Sequence, residues 1–74
     1  MDTVIQGKLN AVRSIQVAFQ RKIPESIRFA KDALQQLPDD EYFFRQITGW
    51  NLSCALFLAG EEDQGIQVLK DVAR

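Results

Sequence analysis

Apolar side chains return every three or four positions along this chain, and the rhythm breaks at only three places: Gln20–Ile23, Leu37–Asp40 and Gly60. A step of three or four residues marks one face of an α-helix. Four helices separated by three short breaks are therefore predicted, and short breaks between helices make hairpins.

The first helix is expected over about residues 3–20, with Ile5, Leu9, Val12, Ile15 and Phe19 as its inward face and Ala11 and Ala18 beside it. Gly7 weakens its first turns by about 1 kcal/mol relative to alanine, which allows a start nearer residue 8. The second helix is expected over about 24–37. Pro24 suits a first turn, where its missing N–H has no intrahelical partner, and Glu25 favours the same end through the helix dipole. Ile27, Ala30, Leu34 and Leu37 face inward, Ile23 can act as a staple, and Arg28 and Asp32 stand at the spacing of an ion pair. Pro38 disfavours a helical Leu37 and ends the helix. Asp39 or Asp40 is the expected cap of the next one.

The third helix, about 41–59, is apolar along two lines: Phe43, Ile47, Trp50, Cys54 and Phe57, and then Leu52, Ala55, Leu56 and Ala59. That breadth predicts a central position between helices two and four. Gly49 reads as a close contact or a bend. Gly60 is the expected left-handed residue after the helix, and Glu61, Glu62 and Asp63 follow at the head of helix four. The fourth helix is expected to turn Ile66, Leu69, Val72 and Ala73 inward, with Gly65 placed where a side chain does not fit against helix three. Its pattern is still running at Arg74, so the array is expected to continue in a longer protein.

The 74 residues include no histidine and one cysteine, Cys54. A disulfide within the chain is excluded, and so are the usual zinc ligand sets. A chain this short buries a limited share of its surface, so its stability must come from helix packing, a partner or neighbouring chain. With 46% hydrophobic and 26% charged residues it is composed as a folded domain. A lone cysteine suits a reducing compartment, the cytoplasm. No apolar run approaches the roughly 20 residues of a membrane span, and the N-terminus does not read as a signal peptide. A net charge of -1 argues against a nucleic-acid surface. The charge is uneven, however: residues 1–37 hold six basic and three acidic side chains, and residues 38–63 hold Arg45 against six acidic ones.

Residues Ser26–Ala33 align with Gly65–Val72 at an offset of 39, keeping an isoleucine and a Lys-Asp pair in place. The same offset sets the Arg21 turn against the Gly60 turn. Each unit is a long helix, a tight turn and a shorter helix, the logic of a helical repeat that stacks to bury its apolar faces. The units are about 3–37 and 40–74, within one domain of 1–74.

The residues Ala30-Lys31-Asp32-Ala33-Leu34, Leu37-Pro38-Asp39-Asp40, Arg45, Asn51-Leu52, Ala59-Gly60-Glu61 and Ile66 resemble the tetratricopeptide-like helical region of the large ATP-dependent LuxR-type transcription regulators, the maltose-regulator group. The resemblance covers roughly 8–74. The first turn departs from it, with Arg21-Lys22 where the family often has Gly-Asp. The resemblance implies an all-α fold of two antiparallel helical hairpins stacked as tetratricopeptide-like repeats, a fragment of a right-handed α-solenoid. It also implies a role in receiving an inducer or a regulatory protein inside a bacterial regulator. The ATP-binding and DNA-binding domains of that family have no counterpart in these residues.

No residue set reads as an active site. Cys54 reads as a core cysteine, with no histidine to serve as its base. Asp39-Asp40-Glu41 and Glu61-Glu62-Asp63 read as helix-start charge before they read as a metal site. Lys8, Arg13, Arg21, Lys22 and Arg28 read as a solvated basic face. Tyr42, Phe43 and Phe44 cannot all enter one core, so at least one is expected to be exposed or to meet a following repeat or a partner. Core and repeat packing is the first reading of this aromatic cluster, and Tyr42, Phe44, Arg45 and Trp50 are the candidate partner surface, with Arg45 stacked on a ring or paired to Asp40 or Glu41. The expectation is a non-enzymatic interaction or ligand-sensing scaffold without a cofactor. Its partners would be a protein, adjacent domains of its own chain or a small-molecule inducer, with no direct nucleic acid or membrane contact. The alternatives are a stand-alone helical homodimer and, last, a small helical enzyme.

Overall fold

The computed structural model describes residues 2–72. Four helices and no strand are present among them: α1 (Thr3–Phe19), α2 (Ile23–Gln36), α3 (Tyr42–Leu58) and α4 (Glu62–Val72). Three-residue turns fold α1 onto α2 and α3 onto α4. Helix α3 also packs on α1 and α2, while α4 lies beside α3 and no other described helix. The result is a slab of 33 × 28 × 14 Å, not a closed bundle. The central place expected for α3 is the one it occupies.

The helix ends follow from local chemistry. The Asp2 side chain accepts from the Val4 N–H at 3.1 Å and caps α1, so Gly7 does not delay the helix. At the first turn Arg21 takes φ 62°, and at the second Gly60 takes φ 83°. The Arg21 N–H donates to the Ala18 carbonyl and Lys22 N–H to Val17. The Gly60 N–H donates to Phe57 and Glu61 N–H to Leu56. Both are the paired bonds of a Schellman ending, and the second set stands 39 residues after the first. Pro38 holds Leu37 extended, at ψ 131°, and stops α2. Neither Asp39 nor Asp40 caps α3: Glu41 stands at the cap position, with no side-chain cap bond, and bonds instead to Lys8 at 3.4 Å.

The core corrects the face assigned to α1. Its buried residues are Gly7, Asn10, Ala11 and Ser14. At 3.6 residues per turn they lie opposite Ile5, Leu9, Val12 and Phe19, and those four are exposed, Ile5 by 51% and Phe19 by 85%. The hairpin interior excludes large side chains because helices this closely apposed leave room only for small ones. Ser26, Ala30 and Ala33 supply the facing surface of α2. One cluster joins Ala11, Ala33 and Leu37, with Phe44 packed on it. A second joins Ala30, Leu52 and Leu56, with Ile27, Leu34 and Val68 against it.

The second line predicted on α3 is largely the buried one: Leu52, Ala55 and Leu56 are inside, although Ala59 is exposed. The first line largely faces out, with Ile47 half-buried. Cys54, expected in the core, is exposed on it. On α4 the buried residue is Gly65, where a Cβ would sit 3.3 Å from the Phe57 ring and the Ser53 carbonyl. Ile66, expected inward, is exposed. Ala73 and Arg74 lie outside the described residues. A Cβ on Gly49 would collide with Val72, so that glycine marks a close contact and no bend.

Candidate functional site

A polar knot ties the first three helices. Ser14 Oγ donates to the Ala11 carbonyl at 2.7 Å, and Ser26 Oγ donates to the Ser14 carbonyl at 2.8 Å. Asn51 Nδ2 reaches both hydroxyls, at 3.3 Å to Ser14 and 3.2 Å to Ser26. The two serines are fully buried, so the knot satisfies groups that would otherwise destabilise the interior. Asn10 donates to Gln36 at 2.7 Å and fastens α1 to the end of α2.

The four residues expected at a partner surface divide. Arg45 Nη1 donates to the carbonyls of Leu34 and Leu37, both at 2.9 Å. These carbonyls close α2 and have no intrahelical donor, so the guanidinium is held within the fold, away from Asp40, Glu41 and the aromatic rings it was expected to meet. Phe44 is half-buried on the Ala11–Ala33–Leu37 cluster, with Lys8 Nζ 5.4 Å from its ring centre. Tyr42 and Trp50 do face outward, 71% and 65% exposed. Phe43 begins the first apolar line of α3 and was not among the residues expected at a partner surface. It is exposed and meets Phe44 edge to face at 5.5 Å. The signal available was the run of three aromatics, which fixed that some ring had to point out without saying which.

Trp50 opens onto an apolar groove between α3 and α4 of about 360 Å³, lined by Gln46, Ile47, Trp50, Leu69 and Val72. A more polar groove adjoins it along Gln46 and Val72 and is edged by Asp39, Tyr42, Arg45 and Asp71. The bare stripe of α1 lies on the side of that helix opposite its buried face. The stripe exposes Ile5, Leu9 and Val12 and the grooves expose Tyr42 and Trp50, while Phe19 and Leu58 line a separate hollow with Ala18, Arg21 and Ile23.

No group of three or more Cys, Asp or Glu side chains gathers to hold a metal ion among the described residues. No described helix is long and apolar enough to cross a membrane. The expected Arg28–Asp32 pair is absent among the described ion pairs; Arg28 instead lies 5.1 Å from the Phe29 ring centre. The arrangement can bind apolar side chains, through rings and aliphatic groups presented on rigid helices. No family model, curated protein or solved structure matches the chain.

Proposed function

We propose that this chain is a non-catalytic interaction module in which two hairpins stack as successive tetratricopeptide-like units and the α3–α4 groove receives an apolar segment of a partner protein. The carrying observation is Trp50, exposed on a rigid helix at the wall of an apolar groove. Aromatic side chains so placed are the usual anchors of protein contacts, and apolar patches left open on a small protein mark contact sites. The identical turns 39 residues apart support the stacking, as does an order of contacts in which α3 joins the hairpins and α4 stays at the edge.

The resemblance to LuxR-type regulators adds a ligand-sensing role in a bacterial transcription regulator. The residues behind it include Arg45, Asn51 and Gly60, which bind helix to helix and close a turn. They speak for stacked hairpins, and the narrower placement rests on the resemblance alone.

A display library of helical peptides selected on the wild-type protein tests the module. Selected binders should lose at least about tenfold in affinity on Trp50→Glu, the loss expected of an anchor residue, and little on Lys31→Glu, a substitution at an exposed site on α2. Binders indifferent to both substitutions would contradict the groove as the binding site.

A further inference from the structure

The two open ends of the slab are the two halves of a joint that the molecule already makes once. Helix α3 docks on the first hairpin through Phe44 and Asn51, and Thr48 lies between them on the same face of the helix. Phe44 sits on Ala11 and Leu37, Thr48 is fully buried, and Asn51 bonds to Ser14 and Ser26. Thirty-nine residues earlier stand Ile5, Leu9 and Val12, the bare stripe of α1. On the receiving side of the joint α1 offers Lys8 and Ala11, which meet Glu41 and Phe44. Thirty-nine residues later stand Ile47 and Trp50, the wall of the α3–α4 groove. One end thus carries the inserting positions and the other the receiving positions, and three polar residues of the internal joint have apolar counterparts there: Leu9 for Thr48, Val12 for Asn51 and Ile47 for Lys8.

Charge selects which ends meet. Residues 1–37 hold six basic and three acidic side chains, and residues 38–74 hold three basic and seven acidic ones. Pairing of like ends sets positive against positive or negative against negative. Pairing of unlike ends sets a half of net +3 against a half of net -4, and opposite fields favour encounter and register.

We propose that the occupant of these faces is a second copy of this chain, stacked head-to-tail, with Ile5, Leu9 and Val12 of one copy against Ile47, Trp50 and Leu69 of the next. The proposal rests on the interaction-module reading and names its partner. A contact between unlike faces leaves one face of each kind free at the ends of every assembly, so it propagates instead of stopping at a dimer.

Sedimentation velocity under reducing conditions, which keep Cys54 from forming a disulfide between copies, tests this with the full chain. The wild type should show an average mass that rises with concentration through dimer and trimer and falls as salt is added. Leu9→Glu and Trp50→Glu alter exposed residues on opposite ends, and each variant alone should stay monomeric. Mixed, they should form a one-to-one dimer that grows no further, because one copy keeps its groove and the other its stripe. Helicity measured by circular dichroism confirms that each variant is folded, and Val12→Glu and Ile47→Glu replace either variant that is not. Three results would overturn the proposal: a wild type of one mass at every concentration, a dimer formed by either variant alone, or a mixture that stays monomeric. A monomeric wild type whose selected peptides still depend on Trp50 would remove self-stacking and leave the module reading standing. Loss of that dependence would remove both.

Discussion

Arg45 shows how far a side chain's role can lie from its composition. It sits in an aromatic cluster near acidic residues, which suggests stacking or ion pairing. Its guanidinium instead holds the last carbonyls of α2 through two hydrogen bonds from one nitrogen. Hydrogen bonds from charged groups contribute about 1.5–3 kcal/mol. Arg45→Met keeps most of the hydrophobic stem and removes both bonds, so it should lower unfolding stability by about 2 kcal/mol in urea titration. Arg45→Lys should recover less than half of that, since an ammonium cannot reproduce the planar fork. A loss below about 0.5 kcal/mol for Arg45→Met would mean that water satisfies those carbonyls equally well. This role was not legible in the sequence: only the fold brings α2's end beneath the first turn of α3. Cys54 was misread for a related reason, because its line on α3 is apolar whether or not anything covers it.

At the scale of elements, most of the fold was legible. Pro38, Gly60 and the Arg21 turn marked where helices stop, since each acts through its own backbone or that of its neighbour. The faces were less legible. Hydrophobic periodicity on α1 points at Ile5, Leu9 and Val12, yet the buried set is Gly7, Asn10, Ala11 and Ser14, which repeats with the same steps of three and four. A hairpin interior selects for small volume, which a search for large apolar residues passes over. The two turns offer a matched test of the backbone argument. Arg21 holds a left-handed conformation that costs a non-glycine residue about 1 kcal/mol, and Gly60 holds the same one freely. Arg21→Gly should therefore stabilise the protein by about 0.5–1 kcal/mol, and Gly60→Ala should destabilise it by about 1 kcal/mol, both read from thermal unfolding. The space around Gly60 is open, so strain alone would account for its loss. Equal signs for the two substitutions would show that the turns are not equivalent.

For the whole molecule, the apolar material is distributed unusually for its size. The described core consists of Ala11, Ala30, Ala33, Ala55, Leu37, Leu52 and Leu56, while Ile5, Val12, Phe19, Tyr42, Phe43, Trp50 and Leu58 are well exposed. A slab with a thin core and apolar ends is marginally stable alone and gains from anything that covers its ends. Both the thin core and the apolar ends depend on α1 being turned this way, with small residues inside and large ones outside. The most direct check compares Leu9→Glu with Ala11→Leu by chemical unfolding at micromolar protein concentration, low enough to limit association. In this fold Leu9→Glu alters an exposed site and should change stability by no more than about 0.5 kcal/mol. Ala11→Leu forces a large side chain into a fully buried site and should lose about 2–3 kcal/mol. The reverse result, a severe loss at Leu9 and tolerance at Ala11, would show that the apolar stripe of α1 faces the core and would contradict the account.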